Sequence, residues 1–211
     1  MIVVRTLADA QEKGIAEVGR YGVVEVTEDG EDIIQLTYPL VIQISEPNSE
    51  PLKHILSPYS TEFLYTYYAQ IKAPDNSHGF DYTYGNRIHS HFGLNQYDRA
   101  VDMICNSPNT RRAVISLWDG KIDNLAKHPP CLNHIQFSRD GEALNMTCLF
   151  RSNDILMAYG ANIYGLALFF NDFCHDTEYK VGKLTTISSN PHIYYIRDAN
   201  EYMKWRRLLI I

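Results

Sequence analysis

Residues 155–174 constrain the fold of this chain more than any other stretch. The run is apolar nearly all round, and a helix of that kind must lie buried. Asn162 interrupts it, where an unpaired carboxamide would cost roughly 1–3 kcal/mol. On either side lie strand signals. Residues 133–138 and 144–150 meet at Asp140-Gly141, a strong hairpin dipeptide, and 182–188 and 192–195 follow the helix. Earlier come a short strand at 2–4, a helix over 6–18, and strands at 21–26 and 33–44 around the turn Glu28-Asp29-Gly30. Helices are expected at 59–71, capped by Ser60 or Thr61, and at 95–106. A strand is expected at 111–118. Residues 72–83 read as irregular, with Tyr84-Gly85-Asn86-Arg87 at their edge.

Composition narrows the class. With 211 residues and 45% apolar content, the chain reads as one domain, 1–211, able to bury a sizeable core. A net charge of −6 argues against a general nucleic-acid surface, but a phosphate needs only local arginines. The four cysteines, 105, 131, 148 and 174, form no CxxC pair and no zinc-like spacing with histidine. Three of them lie in apolar runs and read as buried thiols, which favours a reducing compartment. Neither a signal peptide nor a membrane-length apolar run is visible, so a cytoplasmic location with no membrane partner is expected.

The chemistry gathers around Cys131. It follows Pro129-Pro130, whose rings lock φ and stiffen the backbone that presents the thiol. Twenty residues later comes Arg151-Ser152-Asn153-Asp154, and Arg111-Arg112 lies as far before. A free thiol is only slightly ionised at neutral pH, and nearby arginines would raise the thiolate fraction. The set suits an anionic substrate attacked by sulfur. Within one regular strand only one of Arg111 and Arg112 could face a given pocket, unless the pair sits in the preceding turn. Asn162 offers both an acceptor and a donor, which matches uracil. His192 and Tyr194 alternate along a strand and could bind sugar hydroxyls. Each residue also has an ordinary alternative: a buried thiol, solvated charges, a core-bridging carboxamide.

Taken together, these residues resemble the thymidylate synthase and pyrimidine hydroxymethylase family. The resemblance runs over about 60–195 and rests on Asn109-Thr110-Arg111-Arg112, Pro129-Pro130-Cys131, Arg151-Ser152-Asn153-Asp154, Asn162 and His192-Ile193-Tyr194. Tyr84-Gly85 and Glu62 look like further family positions. The short chain and Cys131-Leu132 look like a compact archaeal-type branch. The resemblance implies an α+β fold, a large mixed β-sheet covered by helices, dimerising through the sheet. It implies C5 methylation of dUMP to dTMP through a Cys131–C6 adduct, with 5,10-methylenetetrahydrofolate or a related tetrahydropterin as co-substrate and no metal. The alternative it leaves open is C5 hydroxymethylation of dUMP, dCMP or CMP with water. The implied roles are nucleophile for Cys131, and water and proton work for Glu62 and Tyr84. Arg151 and Ser152 would hold the phosphate, with Arg111 and Arg112 reaching it from the partner of a homodimer. Asn162 would read the base, His192 and Tyr194 the sugar, and Asp154 the pterin. The apolar tail would close over bound ligands. Three departures stand out: no N-terminal Arg-Thr-Gly-Thr loop, Leu132 where many members have histidine, and no tryptophan in 60–84.

Overall fold

The computed structural model describes residues 1–76 and 81–211. In chain order the elements begin with β1 (Ile2–Val4), α1 (Leu7–Tyr21), β2 (Val23–Val26), β3 (Asp32–Gln35) and β4 (Leu40–Ile44). Then come α2 (Thr61–Lys72), α3 (Tyr84–His89), α4 (Gln96–Asn106) and β5 (Val114–Ser116). The second half holds β6 (Leu132–Asp140), β7 (Ala143–Phe150), β8 (Asn153–Asp154), α5 (Tyr159–Asp176), β9 (Lys180–Ser188), β10 (Pro191–Ile193) and α6 (Ala199–Leu209). The fold is α+β, with a large mixed sheet and helices packed on it.

The large sheet runs β1-β4-β9-β7-β6-β5, and a smaller one runs β2-β3-β10-β8. In the large sheet, β1–β4 and β7–β9 are parallel and the other pairs antiparallel. Strand alternation decides its two faces. Leu144, Met146, Cys148 and Phe150 of β7 are fully buried, as are Ile42 and Ile44 of β4. Their neighbours Val41, Gln43, Thr147, Leu149, Thr185 and Ile187 are only half-buried on the opposite face. Helix α5 covers the buried face, flanked by α1 and α2. Phe173 of α5 stacks on Phe137 of β6 with ring centroids 3.6 Å apart. Burying each such ring contributes roughly 1.5–3 kcal/mol.

Local rules explain most helix starts. Thr6 and Asp9 form a reciprocal capping box on α1. Ser60 caps α2, Thr83 caps α3 and Asn95 caps α4. Gly141 turns the β6–β7 hairpin at φ +63°, a left-handed value that glycine adopts at little cost.

Several expectations are corrected. The strand expected at 33–44 is two strands in different sheets. Leu36-Thr37-Tyr38-Pro39 interrupts it, and Pro39 has no N–H to give a ladder. The strand expected at 111–118 shrinks to Val114–Ser116, so Arg111 and Arg112 sit in the preceding turn. Helices α3 and α6 and strand β8 are additional elements. Part of the irregular stretch at 72–83 lies outside the described residues. Cys105 is exposed, not buried. The tail packs on α1. A Cβ placed on Gly19 would lie 2.4 Å from the Ile211 side chain, and Arg20 donates to the Leu209 carbonyl at 3.1 Å. Neither Leu209 nor Ile211 lines the cavity described below. Among the described residues no helix is long and apolar enough to cross a membrane.

Candidate active site

Antiparallel pairing of β6 and β7 sets Leu132 opposite Phe150. The residues just outside that pair therefore meet, and the Arg151 N–H donates to the Cys131 carbonyl at 2.9 Å. The Arg151 side chain folds back on the same segment. Its Nε donates to the Pro130 carbonyl at 3.0 Å and its Nη2 to the Pro129 carbonyl at 2.7 Å. The prolines thus stiffen the approach to Cys131 and supply the acceptors that anchor the arginine, whose other donors are left for a ligand.

Beside Cys131 opens a cavity of about 980 Å³. That is near the upper end of the roughly 300–1,000 Å³ of small-molecule pockets, so it offers room for more than one ligand. Cys131, Arg151, Ser152, Asp154, Asn162, Tyr84, His192 and Tyr194 all line it. Glu62, Arg111 and Arg112 do not. Glu62 stands exposed in the first turn of α2, where its own N–H and Ser60 hold its carboxyl below the usual range. Arg111 and Arg112 are exposed, before β5.

Each lining residue has a distinct environment. Cys131 is half-buried, and burial pushes its thiol up. Arg151 pulls it down and Asp154 pushes it further up. Arg151 thus acts in the expected direction, and burial outweighs it. Tyr84 opens α3, and its hydroxyl accepts the Leu132 N–H at 3.3 Å. Gly85 makes that position possible: a Cβ there would lie 2.2 Å from the Ala73 carbonyl oxygen. Asn162, in the first turn of α5, is buried and donates from Nδ2 to the Tyr67 hydroxyl at 2.6 Å. Gly165, one turn on, leaves room for the Tyr67 ring, which a Cβ would meet at 3.0 Å.

Strand β8 pairs in parallel with β10 and sets Asp154 beside His192. His192 donates from Nδ1 to the Asn190 carbonyl at 3.0 Å, which leaves Nε2 as an acceptor on the neutral ring. Burial lowers its pKa and favours that neutral form. The ring meets Tyr194 edge-on, with centroids 4.9 Å apart. A histidine acceptor and a tyrosine donor suit one sugar hydroxyl. Asp154 accepts two N–H groups on Oδ1, from Leu156 at 3.1 Å and Met157 at 3.0 Å. Burial pushes its carboxyl up, against the pull of those bonds, His192 and Arg197.

Sequence reading missed Tyr67, Tyr82 and Arg197, which also line the cavity. The signal for the tyrosines was present in their clustering at 65, 67 and 68 and at 82 and 84. Arg197 carried none. The turn between β2 and β3 adds Glu28, Asp29 and Glu31 to the rim.

A cavity that joins a cysteine, two arginines, a buried carboxamide and a His–Tyr pair has the groups to hold an anionic ligand with polar edges beside a thiol. The thymidylate synthase family model matches residues 60–205. A relative from Methanosarcina barkeri (strain Fusaro), provisionally named a thymidylate synthase, is 32% identical over 192 residues, covering 90% of this chain and 87% of its own. One from Methanothermobacter marburgensis with the same name is 36% identical over 151 residues, 71% of this chain and 64% of its own. One from Methanococcoides burtonii is 30% identical over 195 residues, 92% and 89%. The chain belongs to the thymidylate synthase family, one-carbon transferases that bind a pyrimidine nucleotide and a reduced folate.

Proposed function

We propose that this chain methylates dUMP at C5 to give dTMP, using 5,10-methylenetetrahydrofolate or a related tetrahydropterin. The observation that carries the reading is the convergence of Cys131, Arg151, Asn162, His192 and Tyr194 on one cavity. The Cys131 thiolate adds to C6 of the pyrimidine, and the electron pair moves towards C5 and O4. C5 then takes up the carbon and later loses its proton. Tyr84, half-buried beside Cys131 and kept a neutral phenol by burial, orients the water that takes up that proton. Arg151 and Ser152 hold the phosphate, Asn162 reads N3–H and O4, and His192 and Tyr194 hold the sugar hydroxyl. Asp154 takes the pterin's N–H donors. The reduced folate supplies the one-carbon unit and, for methylation, the hydride. Cys131 leaves as the product forms.

Glu62 has no role in this scheme. Arg111 and Arg112 act on the phosphate of a partner subunit's site, through a homodimer built on the half-buried face of the large sheet. Their exposure, and the fact that they do not line their own cavity, support that reading.

A second reading keeps the Cys131 adduct and ends in water addition, giving a hydroxymethyl nucleotide from dUMP, dCMP or CMP. What favours it is that no tryptophan is among the residues lining the cavity. One experiment addresses both readings. The protein is incubated with each nucleotide and methylenetetrahydrofolate, and the product is identified by mass. A parallel incubation with 5-fluoro-dUMP, whose C5 has no proton to lose, should leave a covalent adduct on the peptide that carries Cys131. Absence of any adduct on Cys131 would end the covalent mechanism.

A further inference from the structure

The chain leaving β10 brings Arg197 to the cavity, between two groups already assigned to different ligands. We infer that Arg197 is a positioning residue that couples nucleotide binding at Tyr194 to co-substrate binding at Asp154. The inference rests on the reading of those two residues given above.

Three contacts carry it. Arg197 Nη2 donates to Asp154 Oδ2 at 3.0 Å. The guanidinium lies 3.7 Å above the centre of the Tyr194 ring. Its Nε and Nη2 also donate to Asp198 Oδ2, at 3.1 and 2.6 Å. An exposed ion pair alone would contribute little. Here the guanidinium is fixed from three sides, and a planar fork can stack on a ring and serve a carboxylate at once.

Asp154 brings the complementary half. Its side chain is 14% exposed against 44% for Arg197, and the backbone already holds Oδ1. Oδ2 is the oxygen tied to Arg197, so the arginine's position decides how that oxygen meets a second ligand. On the other side, the Tyr194 ring rests edge-on against His192, which β10 pairs with Asp154. A sugar hydroxyl that fixes Tyr194 and His192 therefore fixes the surface on which Arg197 lies. The pterin N–H donors then find Oδ2 already oriented. By linkage the reverse holds too, and each ligand tightens the other by the same factor.

The test is calorimetric titration with tetrahydrofolate, which lacks the transferable carbon, with and without saturating dUMP. For the native protein, dUMP should raise tetrahydrofolate affinity by a coupling factor of roughly 5- to 150-fold. In Arg197→Met that factor should fall to near one, whatever happens to either affinity alone. Arg197→Lys keeps the charge on Asp154 but not the planar fork, and should restore part of it. A merely structural role would weaken both ligands and leave their ratio unchanged. Should Arg197→Met lose its native circular dichroism, Arg197→Gln, which can still donate to Asp154 but brings no cation to the Tyr194 ring, should give a coupling factor well below the native one. An unchanged coupling factor in a folded variant overturns the inference. If dUMP leaves tetrahydrofolate affinity unchanged in the native protein, the assignment of Tyr194 and Asp154 fails, and the inference falls with it.

Discussion

Cys131 is presented by its neighbours and suppressed by its surroundings. Burial raises its pKa, so at neutral pH the resting thiol is protonated. Ionisation therefore sets in at higher pH than for an open cysteine near 8.5. Alkylation of Cys131 by iodoacetamide, followed by peptide mass, should still be climbing with pH where an open thiol has levelled. A plateau below pH 8 would mean a depressed pKa and a different electrostatic account. Cys131→Ser should bind dUMP as tightly as the native protein in an equilibrium titration and lose nearly all turnover; native turnover would remove it as nucleophile. Asn162 tests the base. Asn162→Asp should lower kcat/KM for dUMP by roughly tenfold or more, since each unpaired buried group costs about 1–3 kcal/mol. The relative rate on dCMP should rise. A native preference for dCMP or CMP would instead favour the hydroxymethyl reading. At this scale much was legible. The Pro-Pro setting, the spacing from Cys131 to Arg151 and Asn162 are local signals, and Cys131, Arg151 and Asn162 all line the cavity. Glu62 carries a weaker signal, because a helix's first turn welcomes an acid whether or not a site lies nearby. Arg197 was invisible because its meaning depends on a turn that brings it to Asp154, 43 residues earlier in the chain.

Elements decide how firmly those residues are held. Helix α3 is only six residues long and packs on the carbonyl end of α2 through Gly85. A methyl group there collides with backbone and cannot be absorbed by a rotamer change. Gly85→Ala should lower the thermal midpoint and cut turnover together, because Tyr84 moves with the helix. An unaltered midpoint would show that the two helices can part without cost. The segment leading to Cys131 depends on a buried pair, Arg87 Nη2 to Asp123 Oδ1 at 2.7 Å, with both side chains under 5% exposed. Removing one partner strands a charge, so Arg87→Met should cost roughly 3–5 kcal/mol by denaturant unfolding. A cost below about 1 kcal/mol would place that pair in a wetter setting than its burial implies. Hydrophobic period and turn chemistry were enough to read α1, α2, α4, α5 and the β6–β7 hairpin. They fell short where tertiary pairing makes the element. β8 is two residues long and exists because β10 lies beside it. Helix α6 holds its apolar side against the rest of the molecule through Tyr202 and the fully buried Trp205, a pattern too sparse to stand out in a charged tail.

For the whole molecule, the homodimer reading has a direct assay. Arg112→Ala and Cys131→Ala variants, each inactive alone, should regain activity when mixed, because hybrids carry one intact site. Random exchange predicts recovery near a quarter of the native site number. Hybrids that form yet stay inactive would mean that each subunit works alone. The distribution of the four thiols has a consequence of another kind. Cys148 and Cys174 are sealed in the core, Cys131 is recessed and held protonated, and Cys105 stands open on the surface. Oxidants act on exposed, ionised sulfur. A preparation stored in air should therefore acquire its first oxygen atoms, or its first covalent cross-links between molecules, at Cys105 while the reaction it catalyses continues undiminished. The recessed, protonated state of Cys131 protects it against ageing between one substrate and the next.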